Sequence, residues 1–458
     1  MKTIFIPIQN RLQARNILRT DVLKTLLSDI ETRVVLFAPI FKVDEYKKEF
    51  VADNLIIEGI KEMNSFLSRT DLTFNRLSLF YLDNPNARFL RKQWLFFERK
   101  KPIKYFISIS LLLIFGNIKI LRKINRFLDF KLVKDDHLDG FFVKYKPDLV
   151  FSPNIISNMD RSFLRHAKKR NVKTVGMINA WDNITLSKYP FRILPDKLIV
   201  HNEITKGESV KYLDMKEEDV FISGMPHFDH YVRSERVSRN EFCKKLNINP
   251  IKKIILFASI GSTLNPTELQ VLSLLDKAFI EKKLSKDIVI IFRQHPTEKN
   301  VLEEMNFSNN IVFDDSKTSL KLNKEKKYSE ILKDDMNHLA DSIYHSEVTI
   351  NTASTMSIDA SVFNKPIINI AFDGWEKRHF HESVLRFYRP NHVHYQPIVK
   401  SGGVKIVYSI DELIHSINSY LDNPGLDRDG RKRIIEEHCF KLDGKSGQRI
   451  GKFISGLA

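Results

Sequence analysis

The stretch 350-INTASTMSIDASVFNKPIINIAFD-373 joins a short β-branched strand to a helix and to a second strand through a cluster of small polar residues. The first residues of this stretch are the last residues of a strand candidate at 347–354, and Pro366 is the first residue of a second strand candidate at 366–372. Between them, apolar residues recur with a helical period. A strand, a helix and a second strand in this order form the unit of parallel sheets, so the stretch predicts an α/β fold.

The same alternation continues in both directions from this stretch. Strand candidates in the N-terminal half lie at 3–8, 33–39, 54–59, 148–153, 173–179 and 196–202, and those in the C-terminal half lie at 219–224, 253–261, 287–296, 310–315, 347–354 and 366–372. A chain of 458 residues exceeds the roughly 250–300 residues at which one core stops growing. We therefore predict two doubly wound, Rossmann-like domains that face each other across a cleft.

The domain boundary is predicted from the change of composition near residues 203–218. The N-terminal domain is expected to cover 1–202, with a helical, basic insertion at 60–145. The C-terminal domain is expected to cover 203–458, with a last helix that can pack back on the N-terminal domain. Ligands of such domains bind beyond the carboxyl ends of the strands, so functional residues are sought there.

Composition restricts the class of protein. Cys243 and Cys439 lie far apart without a C-x-x-C partner, which argues against a disulfide framework or structural zinc and fits a reducing cytoplasm. The net charge of +17 suits nucleic acid, an anionic membrane, a phosphorylated substrate or simply a lysine-rich solvated surface. No nucleic-acid-binding signature is present, and the first residues lack the pattern of a secretory signal.

Residues 105–121 form an apolar run between basic flanks. The run is shorter than the roughly 20 apolar residues that a spanning helix needs, and Gly116-Asn117 interrupts it. Two interpretations stay open, a core helix and an interfacial helix that docks on anionic lipid.

Two strand ends of the C-terminal half carry anion-binding residue types. Gly261, Ser262 and Thr263 follow the strand at 253–261, where backbone N–H groups and hydroxyls bind phosphate. The strand at 287–296 ends in the motif R-x-H-P, which is Arg293, His295 and Pro296. A proline there holds the preceding residue out of helical conformation, so Arg293 and His295 are predicted to contact a phosphate or protonate a departing one.

The polar cluster in the opening stretch forms a third strand end. Ser354 is predicted to cap a helix that begins at Thr355, with Thr352 beside it, so that a phosphate gains the helix dipole and the hydroxyls. Asp359 lies one turn further on and is expected to accept hydrogen bonds from ribose hydroxyls. The alternative is an ordinary capped helix with a surface aspartate.

A fourth cluster follows the strand at 173–179 in the N-terminal half. Trp181, Asp182, Asn183 and Lys188 form a polar loop around an aromatic ring. Asp182 is predicted as a general base, and Lys188 as a contact to phosphate or carboxylate. A structural tryptophan with turn-forming neighbours is the alternative.

These motifs together resemble the GT-B glycosyltransferases, especially the bacterial surface-polysaccharide enzymes near the CDP-glycerol glycerophosphotransferases and the Kdo and sialic acid transferases. The resemblance rests on R-x-H-P, on "TASTMSIDASVFNKPII", on the segment that begins "AWDNITLSK", and on "RNILRTDVLKTLL" at 15–27. It implies that His295 and the Ser354 cluster contact the phosphate and nucleoside of a donor. It also suggests an acceptor clamp at Arg15 and Asn16, where many sugar transferases have a glycine-rich loop.

The function predicted is that of a metal-independent glycosyltransferase in bacterial cell-surface polysaccharide synthesis. Its donor would be a cytidine or uridine nucleotide sugar and its acceptor a hydroxyl on a glycan or lipid-linked glycan. No D-x-D motif suggests a dedicated metal site, so no cofactor is predicted. The protein would lie in the cytoplasm, with the inner face of the membrane as a second partner. A nucleotide-sugar epimerase or hydrolase of the same fold and a non-catalytic membrane- or polyanion-binding scaffold are the alternatives.

Overall fold

The computed structural model describes residues 1–61, 67–96, 102–186, 191–233, 235–295, 307–314, 330–390 and 392–458. They divide into two compact units, one formed by Met1–Val232 with Phe440–Ala458 and the other by Arg233–Cys439. Each unit is built around one parallel sheet. The boundary therefore lies at Val232 and Arg233 and not at the predicted 202 and 203, and the C-terminal residues belong to the first unit.

The first unit contains a seven-stranded sheet in the order β3-β2-β1-β4-β5-β6-β7. Residues 220–222 pair with 198–200 of the neighbouring strand, so the segment predicted at 219–224 extends the first sheet and not the second. Composition alone does not show which strand a segment pairs with. The strands are β1 (Lys2–Pro7), β2 (Thr32–Pro39), β3 (Leu55–Ile60), β4 (Leu149–Ser152), β5 (Lys173–Met177), β6 (Lys197–Val200) and β7 (Val220–Ile222).

The second unit contains a six-stranded parallel sheet in the order β10-β9-β8-β11-β12-β13. The strand order reverses between β8 and β11, so the loops after these two strands diverge and leave a crevice at the carboxyl edge of the sheet. The strands are β8 (Lys253–Ala258), β9 (Ile288–Arg293), β10 (Ile311–Asp314), β11 (Val348–Asn351), β12 (Ile367–Ile370) and β13 (Lys405–Val407). The last of these was not predicted, because three residues are too few to show a strand period.

Helices connect the strands, as parallel pairing requires. Those of the first unit are α1 (Arg11–Gln13), α2 (Asp21–Leu27), α3 (Val43–Glu49), α4 (Arg69–Ser78), α5 (Pro85–Phe96), α6 (Pro102–Phe115), α7 (Lys119–Leu132), α8 (Asp139–Tyr145), α9 (Asn158–Lys169), α10 (Asn183–Leu186), α11 (Glu203–Leu213) and α12 (Pro226–Arg233). Those that follow are α13 (Arg239–Lys245), α14 (Glu268–Ile280), α15 (Lys333–His345), α16 (Met356–Val362), α17 (Gln396–Lys400), α18 (Ile410–Asp422), α19 (Arg428–His438) and α20 (Ser446–Leu457). A π-helical turn covers Ala14–Leu18, and 3-10 turns cover Ile40–Lys42, Asp136–Leu138, Glu217–Asp219 and Val384–Phe387.

The last helix, α20, belongs to the core of the first unit. Ile450 and Ile454 are fully buried in one apolar cluster with Val22 and Leu26 of α2. The close approach of the two helices depends on Gly451, because a Cβ there would lie 2.6 Å from the Cβ of Thr25.

Buried ion pairs fix the helical segment between β3 and β4 to the first sheet. The fully buried Arg165 on α9 donates to Asp129 of α7 at 2.8 Å and to Asp135 at 2.9 Å. Arg192 pairs with Asp71 of α4 at 2.9 Å. Loss of one partner would leave an uncompensated buried charge, at a cost of about 3–5 kcal/mol. The segment is therefore a fixed part of the first unit.

Candidate functional site

The loop after β8 forms one side of the crevice in the second unit. Gly261 adopts a φ of +89°, a conformation that favours glycine, and its N–H donates to Ser259 Oγ at 3.0 Å. The buried carboxylate of Glu268 accepts the Ser259 hydroxyl and, at 3.3 Å, the Ile260 N–H. Hydrogen bonds to the buried Glu268 therefore fix the inner side of the turn, while the neighbouring residues 262–263 are exposed.

Thr352, predicted as a donor contact, joins the two loops of the crevice. Its Oγ1 accepts a hydrogen bond of 3.2 Å from Asn265 Nδ2 in the β8 loop, and the side chain is buried. This bond gives Thr352 a structural role, and its direct contact with a donor stays a prediction. The bond shows that the loops after β8 and β11 meet.

The turn after β11 holds strained backbone. Ala353 adopts a φ of +45°, which L-residues rarely take, and such strain clusters at functional sites. Asn351 Oδ1 accepts the N–H of Ser354 at 3.2 Å, and Ser354 Oγ accepts the N–H of Met356 at 3.1 Å. Helix α16 thus begins one residue later than predicted, with Ser354 in a capping contact and Thr355 exposed. Because Ser354 Oγ uses an acceptor site here, its proton stays available to a ligand oxygen.

A buried polar network supports this strained turn from inside. Asn351 Oδ1 accepts from Ser357 Oγ and from Asn369 Nδ2, both at 3.2 Å. Tyr395 OH lies 2.8 Å from Ser357 Oγ and donates to Asn369 Oδ1 at 2.6 Å. All four side chains are buried, and burial raises the pKa of Tyr395. Four linked hydrogen bonds among buried side chains favour one backbone arrangement, which explains how the turn holds its conformation.

At the end of β9, Arg293 is engaged by a carboxylate. Its Nη1 lies 2.5 Å from Asp314 Oδ2 at the end of β10, and His338 Nε2 lies 2.8 Å from Asp314 Oδ1. Burial would raise the pKa of Asp314, but Arg293 and His338 hold it below its ordinary value. The charge of Arg293 is therefore balanced at the sheet edge, and its direct contact with a phosphate stays a prediction.

His295 follows Arg293 by two residues and is partly exposed at the same edge of the sheet. The Ser259 N–H donates to Arg293 O at 3.0 Å, so the β9 end lies directly beside the β8 loop. Since β9 and β11 flank β8, and neighbouring strands lie about 4.8 Å apart, the ends of β9 and β11 are roughly 10 Å apart. Pro296 lies outside the described residues.

Asp359 lies below the surface of the second unit. Its side chain is 4% exposed, and its charge adds to burial in raising the pKa of the Cys439 thiol. The carboxylate therefore faces the packing between α16 and the end of α19. This position does not support the predicted contact with ribose hydroxyls. The helical period places Asp359 one turn into α16, but it does not show that this side of the helix is buried.

The polar cluster of the first unit lies after β5. Asn16 Nδ2 donates to Asn179 Oδ1 at 3.1 Å and is fully buried, so the predicted acceptor contact of Asn16 is corrected to a role in holding this loop. Arg15 Nε donates to Asn16 Oδ1 at 3.0 Å and is partly exposed. Asn183 Oδ1 accepts the Ala180 N–H at 2.9 Å and thereby closes the turn. Lys188 lies outside the described residues.

Asp182 and Trp181 are partly exposed in this turn, and the charge of Asp182 acts on a second carboxyl that the sequence did not indicate. Burial raises the pKa of Asp182 to about 6. Burial and then the charge of Asp182 raise the pKa of Glu208 on α11 to about 8. Carboxyls with pKa values near neutrality suit proton transfer. In the sequence, Glu208 lies in the predicted boundary region near residues 203–218, and only the fold shows that α11 packs against α10.

The long loop after β12 was also missed as part of the crevice. Arg386 Nη2 donates to Leu264 O at 2.6 Å, which ties this loop to the β8 loop. Asp373 Oδ1 accepts the Val384 N–H at 2.9 Å, and Trp375 between them is 61% exposed. The available signal was the density of arginine, histidine and aromatic residues at 372–395, directly after a predicted strand.

Metal-ligating residues do not assemble in the described part of the chain, where no group of three or more His, Cys, Asp or Glu side chains is placed to hold an ion. The hydroxyls and N–H groups of the crevice are suited to an anion, and the pair of carboxyls after β5 is suited to proton transfer.

Comparisons with known proteins bear on the same regions. Residues 187–456 match the family model described as CDP-Glycerol:Poly(glycerophosphate) glycerophosphotransferase. No curated protein matches the chain in sequence.

Solved structures share the fold. UDP-GlcNAc 2-epimerase from Neisseria meningitidis bound to UDP-GlcNAc is 12% identical with a TM-score of 0.55, covering 100% of both chains. MnaA from S. aureus in complex with UDP is 12% identical with a TM-score of 0.52, covering 100% of this chain and 98% of the other. A variant of the wall teichoic acid polymerase TagF with CDPG is 14% identical with a TM-score of 0.51, covering 99% and 88%. The fold is GT-B, as predicted.

Proposed function

Because the chain belongs to the CDP-glycerol:poly(glycerophosphate) glycerophosphotransferase family, a family of transferases, we propose that it moves a group from a cytidine or uridine nucleotide donor to a hydroxyl of a bacterial cell-surface polysaccharide. The group is a sugar or glycerol phosphate. The family match favours a cytidine donor, while the structurally similar epimerase is bound to UDP-GlcNAc, which keeps a uridine donor as the second candidate.

The observation that carries the proposal is the crevice between β8 and β11. In doubly wound sheets, ligands bind where the strand order reverses. Here the β8 loop contributes the Gly261 turn with Ser262 and Thr263, and the β11 loop contributes Ser354 and Thr355 beside a strained Ala353. We assign the binding of the donor phosphates to these hydroxyls and N–H groups. The exposed side chain of Trp375 is assigned a contact with one side of the nucleoside.

The mechanism follows from the roles assigned to each residue. The acceptor oxygen forms a bond to the transferred carbon or phosphorus and gives its proton to Asp182. The bond from that atom to the leaving phosphate oxygen breaks, and its electron pair stays on the phosphate. His295 donates a hydrogen bond or a proton to this phosphate. Negative charge grows on the phosphate in the transition state, and hydrogen-bond donors placed there lower the barrier by stabilising that charge. Arg293 with Asp314 fixes the strand end that carries His295.

The product of donor breakdown tests this function. We expect the protein to release nucleotide slowly without acceptor, because an activated donor site leaks to water. CMP released from CDP-glycerol would mark transfer of glycerol phosphate, and UDP released from UDP-GlcNAc would mark transfer of a sugar. Chromatography of the nucleotides measures both, and addition of EDTA is expected to leave the rates unchanged.

Two results would contradict the proposal. Interconversion of the sugar without nucleotide release would identify an epimerase, for which the structural neighbours are the supporting observation. Neither release nor interconversion with any cytidine or uridine donor would favour a non-catalytic scaffold. A rate lost on EDTA treatment and restored by a divalent cation would remove the metal-independent mechanism.

We propose further that the protein docks on the inner face of the membrane through α6 and α7, the docking face. On α6, the side chains of Ile103, Phe106, Ile107, Leu113 and Ile114 are each more than half exposed. No single helix of the described residues is long and apolar enough to cross a membrane, while the pair α6 and α7, bent by 102°, has the length and composition to do so. Single exposed apolar side chains are common on protein surfaces, but five on one helix form a patch of the kind that marks an interaction site.

Helix α7 presents its apolar side outward. Its inward face carries Arg122, Asn125 and Asp129, all buried, and Arg122 pairs with Asp214 at 2.7 Å. Its outward face carries exposed apolar residues, with Phe127 60% exposed. A solvated helix has the opposite arrangement, so this orientation supports a lipid-facing role. Exposed lysines at the edge of the face complement anionic headgroups: Lys104, Lys119, Lys123 and Lys131.

We expect the protein to bind anionic vesicles more tightly than neutral ones and to lose this preference at high salt, since lysine contacts are screened over about 8 Å at physiological ionic strength. Lys119→Gln with Lys123→Gln should lower the partition coefficient for anionic vesicles about 30-fold, at about 1 kcal/mol for each lysine. Vesicle co-sedimentation measures the effect.

The matched control is Lys47→Gln with Lys48→Gln, two exposed lysines on α3. This variant should partition as the unaltered protein does. Equal partitioning of the protein into neutral and anionic vesicles would remove the docking face as an anionic-lipid site.

A further inference from the structure

Strand β3 forms one edge of the first sheet. Within the described residues it pairs only with β2. It has six residues, whereas the other edge strands of the two described sheets, β7, β10 and β13, have three or four. Short edge strands protect a sheet against pairing with another chain, and β3 lacks this protection. Its edge can therefore accept a further strand.

The side chains of β3 leave this edge unprotected as well. The strand LIIEGI contains one charged residue, Glu58, and neither proline nor lysine. Glu58 is balanced within its own chain, since Lys144 Nζ lies 2.8 Å from its Oε1 and the Tyr145 hydroxyl donates to the same atom. Unbalanced charges and proline are what keep strand edges apart, so the composition of β3 does not oppose a second strand.

Apolar surface lies beside the edge. An open groove of about 440 Å³ is lined mainly by residues 50–52 and 55–58, and Val51 in this lining is 85% exposed. Near the other end of the strand, a Cβ at Gly59 would lie 3.2 Å from Cγ1 of Ile40, whose side chain is 56% exposed. A strand paired with β3 would cover part of this apolar surface, which favours association.

The direction of the free backbone groups follows from the pairing with β2. The Val34 N–H donates to Asn54 O at 2.9 Å, so Asn54 and every second residue after it face β2. Ile57 and Gly59 therefore direct their N–H and C=O groups to the free edge. Leu55 has the same orientation, but its N–H already donates to a carbonyl of the preceding turn at 3.2 Å.

We propose that β3 pairs with β3 of a second copy of this chain, antiparallel about a two-fold axis at Ile57. In this register the two Ile57 residues exchange two hydrogen bonds, and each Gly59 N–H donates to the Leu55 C=O of the other copy. The register thus gives partners to the outward groups of the edge. A two-fold pair of this kind is closed, so it stops at a dimer. The inference does not rest on the proposed function.

The residues around β3 favour a second copy over an unrelated strand. Asp53 and Lys61 are both exposed, and each lies four residues from Ile57, one before it and one after it. Antiparallel pairing about Ile57 therefore brings Asp53 of each copy close to Lys61 of the other. It also places Leu55 opposite Gly59, where no side chain obstructs it. An unrelated partner strand would not account for this symmetry.

Sedimentation velocity over a range of protein concentrations measures the association. We expect a species of twice the chain mass of 53.6 kDa that dissociates on dilution. Asp53→Lys should raise the Kd of the dimer about tenfold, because two ion pairs in each dimer become two like-charge contacts, and Lys61→Asp should do the same. The double variant Asp53→Lys with Lys61→Asp exchanges the charges and should restore the original Kd.

The matched control is Glu203→Lys, which reverses the charge of an exposed residue on α11 and should leave the Kd unchanged. Because Asp53 and Lys61 are also exposed, all variants should have the far-UV circular dichroism of the unaltered protein. A changed Kd in a single variant then reports the interface and not a loss of folding.

Hydrogen exchange locates the interface. The amides of Ile57 and Gly59 should become protected as the protein concentration rises past the Kd, because paired N–H groups exchange slowly. The amides of β13, a three-residue edge of the second sheet, should exchange at the same rate at every concentration. This comparison separates pairing at β3 from a dimer formed through another surface.

Each of the following results would overturn the inference. A single-chain mass at every concentration, with the β3 amides exchanging freely, would show that no second copy binds this edge. Protection of these amides that persists on dilution to the single-chain mass would show that the chain itself covers the edge. A dimer with unprotected β3 amides would have its interface elsewhere. A double variant as weak as the single variants would exclude pairing about Ile57.

Discussion

His295→Ala is expected to lower turnover of the donor by about 10²–10⁴-fold, the range for a positioned acid or charge-stabilising group. The residue follows β9 at the carboxyl edge of the second sheet, beside the β8 loop that carries Gly261. Because its side chain is partly exposed, its removal leaves no enclosed cavity, and the unfolding temperature should stay the same. Steady-state release of nucleotide from the donor measures the loss.

Two further variants define what His295 does. His415→Ala, an exposed histidine on α18 of the same unit, should keep full turnover. His295→Gln retains a hydrogen-bond donor but cannot carry a proton at neutral pH. If His295→Gln keeps more turnover than His295→Ala, His295 stabilises charge by a hydrogen bond. If the two variants lose turnover equally, His295 donates a proton. Turnover within twofold of normal in His295→Ala would exclude it from the reaction.

The sheets were predictable because parallel strands covered on both faces read as continuous apolar runs. The run 253–258 is of this kind, and Ile254, Ile255 and Leu256 are fully buried in β8. The pairing of the strands was not predictable from those runs. Nothing in residues 219–224 indicates that this strand completes the first sheet, since pairing depends on the path of the chain between α11 and α12.

The break in the apolar run 105–121 was visible at Gly116, but its geometry was not. A Cβ at Gly116 would lie 2.6 Å from the Cβ of Asp83, so the chain turns where α6 meets the residues before α5. The sequence shows the glycine and not the neighbour that requires it. For the same reason the inward, ion-paired face of α7 could not be inferred, because Asp214 is distant in the chain.

The candidate site was predictable in its place and only partly in its residues. The predicted strand ends identified the loops after β8, β9 and β11 as parts of the site, because ligands of this fold bind beyond the carboxyl ends of the strands. Which polar group faces the crevice depends on contacts between loops. Thr352 accepts a hydrogen bond from Asn265, Arg293 forms an ion pair with Asp314, and the charge of Asp359 acts on Cys439. These partners lie on other loops, strands and helices, and the sequence does not show which of those elements meet.

Asp182→Asn is expected to lower kcat for transfer to the acceptor by about 10²–10⁴-fold, because an amide cannot accept the acceptor's proton. Release of nucleotide to water without acceptor should fall less, since it depends on the donor site of the second unit. The comparison of the two rates in one preparation measures the effect, with Asp44→Asn as the exposed control.

The pH profile gives the second part of this prediction. A base must be ionised, and burial places the pKa of Asp182 at about 6, so kcat/KM should rise through pH 6 and be lost below it. The ordinary aspartate value near 4 would put this limb two units lower, which separates a partly buried base from a solvated one. If Asp182→Asn keeps both its transfer rate and the limb near pH 6, another group is the base. If the limb vanishes together with transfer while donor hydrolysis persists, the turn after β5 serves the acceptor and the crevice between β8 and β11 serves the donor.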